Sequence, residues 1–199
     1  MQNIYASLRL ALAGVALSGL LGGFAPPLAA DEAARIAAAK AAVKALAEGL
    51  RGELGRALKE GGPVAGIEAC SIVAPQVAAS VAEAHRLVIG RTALKVRNPA
   101  NAPDAFERAQ LEAFAVRLAK GEDPAMVEHA EVTADASGAK TLRYMKAIPM
   151  TAEPCLVCHG SDIPPAVKSA VAERYPADAA VGFAPGDLRG AFTVRMKID

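Results

Sequence analysis

The stretch that organises this chain is Glu153-Pro154-Cys155-Leu156-Val157-Cys158-His159-Gly160. Two cysteines separated by two residues and followed at once by a histidine form the pattern of covalent c-type haem attachment. Each thiol adds across one vinyl group of the porphyrin, and a spacing of one helical turn suits the two vinyls of one haem edge. His159 can then bind the iron as its proximal ligand. The motif therefore predicts one covalently attached haem c.

Three other interpretations of the two cysteines remain open. A redox-active pair of thioredoxin type would follow a strand and open a helix in a βαβ unit, and the sequence has no such pattern. A zinc site of three cysteines and one histidine would recruit Cys70, but the adjacent Cys158 and His159 converge poorly on one metal ion. A structural disulfide leaves His159 without a role. Haem attachment explains all of these residues, provided that the chain is exported.

The N-terminus has the profile of a signal peptide. Arg9 supplies a positive charge, residues 10–21 form an apolar core, and small residues continue to Ala29-Ala30. The cleavage site is imperfect because Leu28 occupies a position that favours alanine, so an uncleaved anchor is the alternative. We expect residues 1–30 to be removed and the protein to reside in the periplasm, with no stable membrane insertion once processed.

Composition narrows the classes of partner. The chain has 22 lysines and arginines against 21 aspartates and glutamates, and Arg9 is its one charged side chain before Asp31. The processed chain is therefore formally neutral and offers no basic surface for nucleic acid. Its length of about 170 residues suits a single domain with a full core. Tryptophan is absent and aromatic residues make up 4%, so a large apolar cofactor would help to fill the interior.

The first part of the processed chain is predicted to be helical. Asp31 can cap an amphipathic helix with leucines at intervals of four, and Gly61-Gly62 ends it. Pro63 opens a second helix, which carries Cys70 and is interrupted or kinked at Pro75. The predicted organisation is a signal peptide over 1–30, an amphipathic helix over 31–62 and a c-type haem-binding domain over 63–199.

Strand and helix patterns alternate downstream of these helices. The predicted strands cover residues 87–92, 128–136, 140–148 and 191–196, with a hairpin turn at Ser137-Gly138. The predicted helices run from a cap at Asn101 or Asp104 to Gly121, and from Pro165 to Arg174. Loop composition marks residues 97–104 and 185–190. This order predicts an α+β fold and disfavours the four-helix bundle of cytochrome c′.

The residues themselves leave the second axial ligand of the iron open. The candidates are Cys70, His85, His129, Met126, Met145, Met150 and Met196. Methionines on apolar faces usually fill cores, and single histidines are usually structural or exposed. Cys70 is favoured because an unpaired thiol in an oxidising compartment is liable to oxidation, and His85 is the second choice.

The two haem propionates also need donors. Arg91, Lys95, Arg97 and Asn98 cluster in one loop segment and could supply them. The alternative for these residues is a solvated loop with turn-forming asparagine.

Short motifs spread over most of residues 64–194 carry a family resemblance. They are Ile67-Glu68-Ala69-Cys70, Ala74-Pro75, Ile89-Gly90-Arg91-Thr92 through Arg97-Asn98-Pro99-Ala100-Asn101-Ala102-Pro103, Arg143-Tyr144-Met145, Cys155 to Gly160, Tyr175-Pro176-Ala177-Asp178 and Gly186-Asp187-Leu188-Arg189-Gly190. The chain resembles the Tll-like haem family, a single-haem c-type family of PAS-like fold. The resemblance implies a PAS-like antiparallel sheet with N-terminal helices and haem c on Cys155 and Cys158. It also implies His159 as one iron ligand and a cysteine as the other, which can only be Cys70.

These features predict a redox sensor that works through the haem iron. A diatomic gas that binds the iron could be a further signal for it. An anionic thiolate opposite His159 stabilises ferric iron, and Cys70 could leave on reduction and open a site for the gas. A simple electron-transfer cytochrome is the alternative, and it would keep both ligands. We expect no enzymatic activity, because no distal histidine and arginine pair stands out. The expected partner is a redox or signalling protein.

Overall fold

The structure is a computed structural model that describes residues 27–198. The predicted signal peptide and its cleavage lie outside the described residues, apart from residues 27–30, which begin the first helix. Helix α1 spans Pro27–Glu68 and is interrupted at Gly62, whose backbone is not helical. The φ of Gly62 is 68°, a conformation that glycine adopts without the steric cost of a side chain. The predicted break at Gly61-Gly62 is confirmed.

A π-helical turn over Ala69–Val73 joins α1 to helix α2, which spans Ala74–His85. The backbone N–H of Ala74 donates to the carbonyl of Ala69, five residues earlier. Pro75 follows at once and has no N–H to continue an α-helical ladder. The interruption predicted at Pro75 thus takes the form of a widened turn, and Cys70 lies in that turn.

The four described strands form one antiparallel sheet in the order β1-β4-β3-β2. The strands are β1 (Val88–Thr92), β2 (Glu128–Ala134), β3 (Lys140–Pro149) and β4 (Leu188–Ile198). The remaining α-helices are α3 (Ala105–Ala119), α4 (Leu156–His159) and α5 (Pro165–Arg174). The prediction of an α+β fold, with N-terminal helices and an antiparallel sheet, is confirmed.

The start of β4 corrects one sequence prediction. Residues 185–190 have turn composition, yet the strand already begins at Leu188, which pairs with Pro149 while Gly190 pairs with Ile148. A side chain at Gly190 would place its Cβ 2.4 Å from the carbonyl oxygen of Thr92 on β1. Glycine is therefore required there by close strand packing rather than by a turn.

Helices cover both faces of the sheet. On one face, α1 packs Ala39, Ala42, Val43 and Leu46 against Leu87, Ile89, Tyr144 and Val194. On the other face, α3 packs Leu111 and Phe114 against Val127, Met145, Ala147 and Ala191. Because side chains alternate along a strand, the neighbours Tyr144 and Met145 lie in different cores.

Helix α3 is fixed at its N-terminus by polar contacts. Asp104 and Glu107 form a capping box in which each side chain accepts from the other's backbone N–H, so the cap is Asp104 rather than Asn101. Arg143 on β3 donates to Asp104 at 2.7 Å. This contact anchors the helix to the sheet.

The helical stretch Asp31–His85 is long and apolar enough by length and composition to cross a membrane. The core helices of soluble proteins meet the same criterion. In this chain Ala39, Ala42 and Leu46 of that stretch are fully buried beside the sheet.

Candidate functional site

A cavity of about 750 Å³ lies between α1, the sheet and the segment around α4. Its size falls within the range of roughly 300–1,000 Å³ that small-molecule and cofactor sites occupy. Cys70, Cys155, Cys158 and His159 all line it, although Cys70 is separated from the others by more than eighty residues of sequence. The fold thus brings together the four residues that the sequence predicts as the attachment and ligand set.

The motif cysteines lie at the two ends of a single helical turn. Cys155 is the N-cap of α4, and its carbonyl accepts the backbone N–H groups of Cys158 at 3.2 Å and His159 at 3.0 Å. Both thiols are free, and the sulfur of Cys155 lies 3.1 Å from the hydroxyl of Thr151. Gly160 ends the turn as its C-cap, and the position suits glycine because a Cβ there would lie 2.7 Å from the carbonyl oxygen of Leu156. The site therefore presents two unbridged thiols toward one cavity.

The imidazole of His159 has one nitrogen engaged by the protein and one directed to the cavity side. Nδ1 lies 2.8 Å from the carbonyl oxygen of Ala180. A carbonyl can only accept, so Nδ1 carries the proton and Nε2 keeps its lone pair. Burial, assisted by the charges of Arg189 and Arg97, lowers the pKa of His159 to about 3. A neutral imidazole held in this tautomer is the form that binds a metal through Nε2.

Arg97 fixes the position of this histidine. Its guanidinium donates to both carboxylate oxygens of Asp178, at 3.1 and 2.9 Å, and the two side chains are only 8% and 9% exposed. Nη2 also donates to the carbonyl oxygens of Cys158 at 2.7 Å and Ala180 at 3.2 Å. One buried arginine therefore ties the haem motif to the loop that orients His159.

These contacts bear on which of the residues predicted to bind the haem propionates remain available for that role. Arg97 is committed to Asp178 and to backbone carbonyls. Lys95 does not line the cavity: its amine donates to the carbonyl of Val181 at 3.1 Å and lies 4.7 Å from the centre of the Phe183 ring. Asn98 lines the cavity but accepts from the backbone N–H of Ala100 and caps a 3₁₀ turn.

Within residues 27–198, three arginines on the cavity wall have no carboxylate partner: the exposed Arg51 and the half-buried Arg91 and Arg189. Arg91 lines the cavity and makes no side-chain hydrogen bond or ion pair within residues 27–198. Arg189 also lines it, with Nε 3.5 Å from Nε2 of His159. Burial and the neighbouring charges of Arg97 and Arg91 lower the pKa of Arg189 to about 10, so it stays charged at neutral pH.

Sequence reasoning missed Asp178 and Arg189 as site residues. Both stand inside motifs that carry the family resemblance, but their composition indicated only turns. The signal available in the sequence was a charged residue in several of these short motifs. It did not reveal which charges would meet, because the contact between Arg97 and Asp178 spans 81 residues.

Cys70 lies half-buried in the π-helical turn, and its sulfur has no hydrogen bond within the described part of the chain. Nearby, Ile67 packs against Val157 and Cys158. This packing brings the turn close to α4. Cys70 is therefore placed on the cavity by the helix that precedes it.

The other candidates for the second iron ligand differ in whether they line the cavity. His85 and His129 do not line the cavity, and His129 instead lies 3.1 Å from Glu131. Met126 is 65% exposed, whereas Met145 is buried in the core on the other face of the sheet. Met150 is the one methionine of residues 27–198 that lines the cavity, and it packs with Ala180 and Phe183 beside His159. Met150 therefore replaces His85 as the alternative to Cys70.

The arrangement does not favour the zinc interpretation. Residues 27–198 contain no group of three or more histidine, cysteine or acidic side chains placed to hold one metal ion. Cys70, Cys155, Cys158 and His159 share a cavity without converging on a common point. A large flat ligand that each of them touches at a different atom suits this spacing better than a single ion.

Comparison with known proteins gives a family and one solved structure. The model of the Tll0287-like family matches residues 27–197. The crystal structure of the cyanobacterial heme-protein Tll0287 is similar, with a TM-score of 0.60 and 25% sequence identity. The match covers 88% of this chain and 98% of that one. A comparison with curated proteins found no match.

Proposed function

The chain belongs to the Tll0287-like family, and from this premise we propose that it is a periplasmic c-type protein with one covalent haem that senses redox state through the iron. The observation that carries the proposal is the meeting of Cys155, Cys158, His159 and Cys70 on one cavity. The similar cyanobacterial protein is a heme-protein, which supports the same cofactor here. Covalent attachment requires export, and the N-terminal sequence is consistent with it.

The donor set fits a haem. Cys155 and Cys158 would hold it by thioethers, His159 would bind the iron through Nε2, and Cys70 would bind it through sulfur. The cavity wall is largely apolar, with Ile67, Leu50 and Leu54 among its members, and it also carries arginine side chains. The haem supplies a one-electron redox centre when bound.

Cys70 is the residue that we propose responds to the redox state of the iron. A thiolate stabilises ferric over ferrous iron, so the site favours a low potential. On reduction the Cys70 thiolate would take up a proton from solvent and be released from the iron, which would leave a position for a diatomic gas. Cys70 lies in a π-helical turn between α1 and α2, so its release would reach the surface through those helices and be read by a redox or signalling partner.

We propose a sensing role rather than an enzymatic one. His159 is the one histidine that lines the cavity within residues 27–198, and it would be taken up as the ligand of the iron. No second imidazole is therefore placed to move protons for a bound substrate, as a peroxidase would need.

The test is a comparison of ferric and ferrous absorption spectra of the protein matured with a cytochrome c maturation system. The sensor is expected to lose its thiolate signature on reduction and then to bind carbon monoxide. Met150→Leu, a change on the same cavity wall, should leave both results unchanged. If the ferrous protein keeps six ligands and excludes carbon monoxide, the protein is an electron carrier instead. A protein that gains no haem mass would contradict both.

A further inference from the structure

Four arginines line the cavity; Arg51 is exposed, and the other three differ in what they touch. Arg97 is neutralised by Asp178 at 2.9 Å. Arg91 has no polar partner within residues 27–198, and Arg189 has no carboxylate partner there. Apart from the exposed Arg51, the cavity wall therefore carries two arginine charges that have no carboxylate partner within residues 27–198.

The contacts of Arg189 are weak for a half-buried guanidinium. Its Nε lies 3.5 Å from Nε2 of His159, and Nη1 lies 3.4 Å from the carbonyl oxygen of Lys95. Both distances are at the outer limit of a hydrogen bond. A partly desolvated charge is costly unless it is paired. Arg189 also stands beside the atom that would bind the iron, so it must exchange this contact for another when His159 binds metal.

The other basic side chains on the cavity wall are already paired or are exposed to solvent. Lys40 and Lys146 both lie near Glu128, and Lys44 pairs with Glu48. Arg51 is exposed. Arg91 and Arg189 therefore stand apart as the two half-buried cavity arginines that lack a carboxylate partner within residues 27–198.

We propose that Arg91 and Arg189 bind the two propionate carboxylates of the haem, while Arg97 only positions the motif. This inference rests on the proposed function, since it concerns the same cofactor. Two unbalanced guanidinium groups match two carboxylates in charge, and arginine binds carboxylate through a planar pair of donors. The positive charge of Arg91 disfavours the charged form of Arg189, and two carboxylates bound by these arginines would offset that repulsion.

The first test uses the matured holoprotein and resonance Raman spectroscopy, in which the propionate bending bands report hydrogen bonding of these groups. Arg91→Leu and Arg189→Leu should each shift one such band, and Arg189→Lys should restore part of the shift. Arg51→Leu removes the same charge from the same cavity and should leave the bands unchanged. Unshifted bands in both arginine variants would overturn the assignment.

The second test remains informative if those variants mature poorly. Haem and its dimethyl ester are titrated into the full chain carrying Cys155→Ala and Cys158→Ala. Free haem should bind roughly tenfold or more tightly than the ester for each arginine engaged, because charge-assisted hydrogen bonds are lost in the ester. Adding Arg91→Leu and Arg189→Leu should remove the preference, whereas Arg51→Leu should keep it.

The outcomes separate this inference from the proposed function. If the preference for free haem survives in the double arginine variant, or disappears with Arg51→Leu alone, the propionates lie elsewhere and the assignment is wrong while haem binding stands. If neither haem nor the ester binds, the proposed function fails and the assignment fails with it.

Discussion

The surroundings of His159 and of Cys70 differ sharply, although both residues line the same cavity. His159 is oriented by the Ala180 carbonyl at 2.8 Å, and that loop is held by the buried pair of Arg97 and Asp178. The backbone N–H of Phe183 also donates to the carbonyl of His159. Cys70 lies in an irregular helical turn, and its sulfur accepts no hydrogen bond from residues 27–198.

Under the proposed sensing role, this difference would give the two iron ligands different parts to play. A metal ligand whose partners fix its orientation stays in place when the charge of the metal changes. A ligand without such partners is held mainly by its bond to the metal, so a change in that bond is enough to release it. The asymmetry therefore favours His159 as the ligand that stays bound and Cys70 as the ligand that would be released on reduction of the iron.

The largest expected effect tests whether Cys155 and Cys158 attach the haem covalently while Cys70 only binds its iron. Cys155→Ala combined with Cys158→Ala should abolish covalent haem, since no thiol of the motif remains to form a thioether. Intact-mass spectrometry and retention of colour after acid–acetone extraction would measure this. Cys70→Ala is the matched control, because Cys70 lines the same cavity and should leave the added mass of one haem unchanged.

One result for the unaltered protein would contradict the separate roles assigned to His159 and Cys70. A colourless protein that binds one equivalent of zinc would mean that the three cysteines and His159 serve a single metal ion. The arrangement of residues 27–198 argues against that outcome.

The second prediction concerns the less constrained ligand. Cys70→Ala should remove the near-infrared charge-transfer band and the g-values of a ferric thiolate, and should raise the reduction potential because an anionic ligand is lost. Cys70→Met should also raise the potential while keeping six coordination if its sulfur binds. Absorption spectroscopy, electron paramagnetic resonance and redox titration measure these changes. An unchanged ferric spectrum in Cys70→Ala would move the ligand to Met150, with Met150→Leu as the next variant.

The third prediction tests the network around His159. Arg97→Leu leaves the buried Asp178 carboxylate without a charge partner, with only the backbone N–H of Ala180 donating to it, which should lower the free energy of unfolding by about 3–5 kcal/mol. Denaturant unfolding of the holoprotein measures this loss. Arg56→Leu removes an exposed pairing with Glu53 and Glu60 on α1 and should change stability little. Equal losses in the two variants would show that the Arg97 network is not what holds this side of the cavity.

The smallest expected effect is a pH dependence at the far wall of the cavity. Burial alone would raise the pKa of Glu128, but hydrogen bonds from Lys40 and Tyr144 outweigh it and leave the pKa lowered. A carboxyl whose pKa is lower in the folded state stabilises the fold above its ordinary pKa of 4.5 and loses that contribution as the pH falls further.

Glu128→Gln should therefore flatten the acid limb of a plot of unfolding free energy against pH, without changing the ferric spectrum. Lys40→Met should reproduce part of this flattening, because it removes one of the groups that favour the ionised form. A slope that is as steep in Glu128→Gln as in the unaltered protein would assign the acid sensitivity to other carboxyls.

The elements predicted well from the sequence are those governed by residues close together in the chain. Gly62 breaks a helix because its φ of 68° suits glycine, and Asp104 caps α3 because a glutamate follows three residues later. Cys155, Cys158 and His159 form one helical turn because their spacing permits it. Each of these outcomes depends on local backbone geometry, which a short stretch of sequence specifies.

The roles of the arginines were decided by the tertiary structure alone. Arg91 and Arg97 stand six residues apart, on β1 and in the loop that follows it, and look equivalent in sequence. Arg97 nevertheless meets Asp178 in a buried pair, whereas Arg91 lines the cavity without a polar partner among residues 27–198. Arg189 reaches the same wall from the start of β4, which composition had indicated as a turn. Spacing and composition were enough to indicate the chemistry of the haem motif. Burial and charge pairing, in contrast, depend on segments that are far apart in the chain. The packing of the sheet, the loops and α4 therefore determined which charges remain available to a ligand.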